Sequence, residues 1–249
     1  MLLQSLNRNV WLLSVSHIFS FAGASVTFFL GGIIGALLAP TMTMATLPVA
    51  ASVVGTAIGT VPAAILMSKK GRRFGFMGAA VVASGSALMG AVAIWHSLFW
   101  LYCFSCLSLG VSYAFVQHYR FAAAESVAIE LAPQAISAIL LSGIAGAFLG
   151  PGIVKYANNW IPQHAFVGSY LVLAIIVALP AIILFWLKIP KQGTKTIGNT
   201  GRTIRQLAQQ PDFVLAVFAA TVSYALMVFL MTATPVSMHV MDGHSIDDT

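Results

Sequence analysis

Few side chains in this sequence could do chemistry, and most of them stand inside long uncharged stretches. His17 and Ser20 are spaced i, i+3, which puts an imidazole and a hydroxyl on one face of a helix. An imidazole titrates near neutral pH, so His17 is the one group inside such a stretch suited to take up and release a proton. A second stretch holds Ser105, Ser108, Ser112 and Tyr113, with Gln117 about a turn further on. A third holds Thr221, Ser223, Tyr224, Thr232 and Thr234. The hydroxylated rings of Tyr113 and Tyr224 suit a flat ligand and equally suit plain packing. Serine and threonine in a helix often bond back to their own i−4 carbonyl instead.

This set can bind a solute but is poor in the means to break bonds. An enzyme would need paired acids, a serine with a histidine base, or a metal cluster. His96, His118, His164, His239 and His244 are instead scattered over the ends of different apolar runs. No Asp or Glu falls deep inside any run, and Asp212 stands at the edge of the last. We therefore expect no enzyme, no metal and no cofactor. Cys103 and Cys106 make one C-x-x-C pair within the apolar run from Trp100 to Val116. With no second pair, they read as buried free thiols.

What must position these residues is a membrane. The hydrophobic fraction is 59% and the charged fraction 7%, with a mean hydropathy of +0.92. A soluble domain carries about 25% charged residues to cover its surface. Several uncharged runs exceed the roughly 18 residues that cross a hydrocarbon core. They do not alternate as barrel strands would. The chain reads as an all-α polytopic membrane helix bundle with the lipid bilayer as its partner. Seven spans are expected, at about 10–38, 43–67, 74–95, 98–118, 134–156, 165–187 and 212–237. The first is far longer than the about 7–15-residue core of a cleaved signal.

Charge then gives the sides. If every span crosses, Arg8, Lys69, Lys70, Arg72, Arg73, Arg120 and the five bases between 188 and 211 lie together. Lys155 alone lies opposite. The net charge of +6 thus reads as a topology signal, with the basic side and the N-terminus cytoplasmic, rather than as a nucleic-acid surface. The expected domains are a six-span bundle over 1–187, a basic cytoplasmic linker over 188–211, and a seventh span with its flanks over 212–249. Gly55 and Gly59, and Gly146 and Gly150, form G-x-x-x-G pairs, the spacing that lets helix backbones approach closely. Near the cytoplasmic end of span 4, Arg120 and Glu125 read either as a charge pair closing a gate, with Arg120 alternatively steering anions, or as plain end-of-helix charges.

Three short segments resemble the major facilitator superfamily. Residues 64-AILMSKKGRR-73 resemble its loop between the second and third helices: Lys69, Gly71, Arg72 and Arg73 match, while Ala64 and Ser68 replace a glycine and an acid. Residues 146-GAFLGP-151 resemble its fifth-helix motif through Gly146, Gly150 and Pro151, with Val154 and Lys155 in place of two glycines. In 106-CLSLGVSYA-114, Gly110 matches and Cys106 stands where the family often has an arginine tied to proton coupling. Residues 117-QHYRFAAAE-125 and 231-MTATPVSMHVMDGHSIDD-248 are similar to a bacterial subfamily, some of whose members are called riboflavin transporters.

The resemblance implies a secondary carrier that moves a small organic solute, with a flavin the first example, across the inner membrane by alternating access. It implies bundles of 3+3 inverted repeats and a midplane cavity lined by helices 1, 4 and 7. That points to His17, Ser20, Tyr113, Gln117 and Tyr224 as cavity residues. It makes Ser68, Gly71, Arg72, Arg73, Arg120 and Glu125 the cytoplasmic loop and gate, with the Arg72 or Arg73 fork reaching a carboxylate or a helix-end carbonyl. In Ser68 the loop would keep a hydrogen-bonding group but lose a charge. The resemblance also implies that a C-terminal bundle is missing from these 249 residues. A non-transporting fragment or membrane scaffold is the alternative expectation.

Overall fold

A computed structural model describes residues 7–157, 160–161, 165–188, 206, 208–235 and 237–238. The linker bases beyond Lys188, together with His164, His239, His244 and 241–249, lie outside the described residues. The architecture is all-α. The helices are α1 (Arg8–Leu38), α2 (Leu47–Lys70), α3 (Arg72–Trp95), α4 (Phe99–Val116), α5 (Tyr119–Glu125), α6 (Ala132–Ala157), α7 (Val167–Ile183) and α8 (Pro211–Pro235). Among the described residues seven segments are long and apolar enough to span a bilayer, as expected for a multi-pass membrane protein.

One boundary departs from the sequence reading. The expected charged turn after 118 is largely helical: α5 follows α4 after a break at Gln117 and His118, and the combined span runs Phe99–Glu125. Burial of Tyr119, Ala122 and Ala123 holds the extra turns. An apolar face outweighs the local signal of Arg120 and Glu125, because packing decides marginal helices.

Between α2 and α3 there is one residue, Gly71, with φ +91. Only glycine adopts this conformation without strain. Its N–H donates to the Met67 carbonyl and its own carbonyl accepts from Gly75, so one residue ends one helix and begins the next. Lys69 and Lys70 at the end of α2 suit the helix dipole, whereas Arg72 and Arg73 at the start of α3 oppose it. Both arginines are compensated. Arg72 pairs with Glu125, and Arg73 lies over the Phe185 ring, 4.6 Å from its centroid.

The principal helix pairs are α2 with α4, α1 with α6, and α3 with α7. Exchanging α1 with α4, α2 with α6 and α3 with α7 maps this set onto itself. This exchange symmetry is the pairing that two interlocked three-helix repeats would show. Glycines set the seams. A Cβ on Gly55 would collide with the Leu107 carbonyl, and one on Gly110 with the Ser52 carbonyl. Thr56 then bonds across the α2–α4 seam to the Gly110 carbonyl at 3.1 Å.

Contacts also gather one end of the bundle. Asn9 Nδ2 donates to the Lys188 carbonyl at 2.9 Å and its Oδ1 accepts from the Lys188 N–H at 3.4 Å. Arg8 reaches the Trp186 carbonyl and Asn7 the Ser126 carbonyl. With Arg72 on Glu125, these bonds put residues 7–9, 72–73, 125–126 and 185–188 at the same end.

Candidate functional site

The α1–α6 seam holds the first group of polar residues. Gly146 and Gly150 sit against α1: a Cβ at Gly146 would come 2.6 Å from the Ile18 carbonyl oxygen, and one at Gly150 2.6 Å from Ser25 Cβ. Pro151 lies inside α6 and has no N–H to give to the carbonyl four residues earlier, that of Ala147. Ser25 supplies the missing donor, its Oγ donating to Ala147 O at 3.2 Å. The motif thus packs two helices and repairs the gap its proline makes.

His17 belongs to the same seam. It is buried, with Nδ1 3.0 Å from Ser142 Oγ and its ring against Phe21 and Tyr119. Ser142 Oγ donates to the Ile139 carbonyl at 2.6 Å. A serine has one hydroxyl proton, so with that proton committed His17 Nδ1 is the donor. Its Nε2 then carries the lone pair. The partner that fixes this tautomer, Ser142, has no sequence signal beyond a hydroxyl in an apolar run.

A second group meets at the junction of α1, α3, α4 and α7. Ser20, Ser112, Tyr113 and Tyr119 line one crevice with Phe76, Ala79, Ala80, Ala83, Val116 and Val177. Its free space is about 10 Å³, the room of a single water. In this arrangement the helices close too tightly around it for an organic solute. Tyr113 is held by Thr27, whose Oγ1 lies 3.0 Å from the Tyr113 hydroxyl and also donates to the Gly23 carbonyl at 2.9 Å. By the same single-proton reasoning the tyrosine donates to Thr27. Deeper toward α7, Tyr102 and Tyr170 share a hydrogen bond of 2.7 Å, and Ser105 donates to the Ser86 carbonyl. Cys103 and Cys106 are free and buried.

The remaining candidates fall elsewhere. Gln117 is exposed at the break between α4 and α5. Tyr224 stands on α8 with 38% of its surface exposed and has no hydrogen bond or ring contact among the described residues. α8 packs on α1 and buries Thr232. Ser68 donates to the Ile65 carbonyl at 2.9 Å, so its hydroxyl is spent inside its own helix rather than across the loop.

The charged loop does not form the Arg120–Glu125 pair that the sequence offered as one alternative. The Glu125 carboxylate is taken by Arg72, whose Nε donates to Oε2 at 2.6 Å and whose Nη2 donates to Oε1. The reason is geometric: Arg72 starts α3 directly after the Gly71 turn, so its fork faces the end of α5 squarely and bonds with both arms. The fork expected from Arg72 or Arg73 therefore finds a carboxylate. Arg120 lies instead over the Phe121 ring, 5.1 Å from the centroid. His118 lies within electrostatic reach of Arg72, Arg120 and Glu125, and His17 within reach of Arg120. The sequence reading missed Asn9 and Ser142, small polar residues whose roles come from their partners.

Among the described residues no group of three His, Cys, Asp or Glu side chains is placed to hold a metal. The chain is 35% identical over 242 residues to a riboflavin transporter, RfnT, of Brucella anthropi. The match covers 96% of this chain and 61% of the relative, so the chain spans about three-fifths of the length of the curated relative it matches. No family model and no solved structure matches the chain.

Proposed function

We propose that the chain forms part of a carrier that moves a small organic solute across a membrane by alternating access, with riboflavin the first solute to test. The similarity to RfnT along 96% of the chain carries this reading. The arrangement of helix pairs agrees with it, since interlocked inverted repeats are a recurrent way to build a secondary carrier. On this reading the chain belongs to the major facilitator superfamily and resides in the inner membrane. The end bearing Arg8, Arg72 and Lys188 is cytoplasmic. Residues 1–187 form one bundle, 188–211 a linker and 212–249 the seventh span with its flanks.

The solute path runs along the polar faces of α1 and α4, where His17, Ser20 and Tyr113 are the first contacts, with Gln117 at the mouth and Tyr224 contributed by α8. Ser68, Gly71, Arg72, Arg73, Arg120 and Glu125 form the loop and gate. The Arg72–Glu125 pair is the element whose making and breaking would mark the closed and open ends.

Uptake of labelled riboflavin by vesicles bearing the whole protein tests this, against a panel of unrelated solutes. The expected result is saturable uptake that His17→Ala lowers about tenfold, the loss of one good polar contact, at unchanged expression. Uptake indifferent to His17→Ala would remove that residue from the path, and no uptake of riboflavin would remove the solute.

A further inference from the structure

Arg120 is a cation that the loop leaves without a carboxylate among the described residues. Its Nε is buried and has no hydrogen-bond partner among the described residues, and its guanidinium lies over the face of Phe121. A buried N–H on a charged group is costly to leave without an acceptor. The acids of the chain do not serve it. Glu125 gives both oxygens to Arg72. Glu130 and Asp212 are exposed and make no ion pair among the described residues. The other three acids fall outside the described residues, beyond α8.

The surroundings favour an anion. Arg8, Lys69, Lys70, Arg72 and Arg73 lie at the same end, and a surplus of one sign of charge raises the local concentration of the other. Glu125 stands five residues on from Arg120, at the end of the same short helix, and the Arg72 fork holds its carboxylate.

We propose that Arg120 is an oxyanion-binding residue at the break between α4 and α5, taking one phosphate or carboxylate group across the Nε–Nη edge of its guanidinium. That edge is the one Arg72 uses on Glu125, and it satisfies the buried Nε together with an outer nitrogen. The anion comes from solution or from a lipid headgroup, and both present the same oxygens. The site does not depend on which solute the carrier moves, and its test needs no transport.

The experiment follows thermal unfolding of the full chain in dodecyl maltoside micelles, which carry no phosphate, as inorganic phosphate replaces chloride at constant ionic strength. A ligand that binds the folded state raises the unfolding temperature with its concentration. A second arm omits phosphate and adds phosphatidylglycerol to the micelles. A response to phosphate assigns a soluble anion, and one confined to phosphatidylglycerol assigns a headgroup. In either arm Arg120→Gln should weaken binding about tenfold, the worth of one charge-assisted contact, and Arg120→Lys should keep part of it. Arg72→Gln should also weaken it, because the freed Glu125 competes for Arg120, while Glu125→Gln should strengthen it. The Arg72 and Glu125 variants decide the matter if Arg120→Gln does not fold. Equal responses in wild type, Arg120→Gln and Arg72→Gln, or no response in either arm, would overturn the proposal.

Discussion

The α1–α6 seam and the charged end of the bundle join helices by opposite means. The seam uses glycine, serine and proline and contains no charge: Gly146 and Gly150 bring α6 onto α1, Ser25 serves the Ala147 carbonyl, and His17 meets Ser142. The charged end uses long side chains, with Arg72 on Glu125 and Arg73 on Phe185. Depth in the membrane explains the difference. Lipid tails are as apolar as leucine, so helices there gain from close backbone contact and from satisfied neutral groups. A charge at that depth is expensive, while at the end water and neighbouring dipoles support it. The seam should therefore be sensitive to volume and indifferent to salt, and the charged end the reverse.

The largest effect expected is on volume. Gly146→Leu should destabilise the chain by about 3 kcal/mol, read from unfolding in detergent, because the new side chain starts 2.6 Å from the Ile18 carbonyl and 2.9 Å from Phe21 Cβ. Gly152 is its control. A Cβ there meets nothing within 4 Å, so Gly152→Ala should be neutral or stabilise by about 0.5 kcal/mol through helix propensity. Similar losses in both variants would show that the seam is not held by close approach.

Next comes the ion pair. Its side chains are 22% and 27% exposed, which leaves room for screening. A double-mutant cycle over Arg72→Gln and Glu125→Gln should give a coupling of about 1–2 kcal/mol that falls as salt is raised. A coupling that did not respond to salt would place the pair in an environment like the seam's and erase the contrast.

The smallest effect sharpens the role of the proline. Ser25→Ala should cost about 1 kcal/mol by leaving the Ala147 carbonyl without its donor. In a Pro151→Ala background the restored backbone N–H can reach that carbonyl, so the same substitution should cost less. An unchanged cost would mean that Ser25 acts through packing alone.

These two regions were not equally legible in advance. The glycine spacing and the proline in 146-GAFLGP-151 announce a close contact, since few other reasons put such residues inside a span. They do not say which helix makes the contact. The basic cluster at 69–73 announces one side of the membrane and a fork in search of a carboxylate, but the sequence left Arg120 and Glu125 open between a charge pair and plain helix-end charges, and the Gly71 turn brings Arg72 to Glu125. α5 escaped notice because its charges outweigh its short apolar face in any local reading. Asn9 and Ser142 carry no local mark at all.

By itself the sequence determined the class, the number of spans and the clustering of basic residues. Each of these depends on hydropathy and charge summed along the chain, and a bilayer imposes its thickness on every segment alike. Tertiary structure decided the pairing of α1 with α6 and α2 with α4, the Arg72–Glu125 pair, and the tautomer of His17. In lipid a helix is apolar on its exposed and its packed faces both, so no stripe in the sequence distinguishes neighbour from solvent. The choice passes to the fit of small residues against a particular facing backbone, and that fit exists only once the helices are side by side.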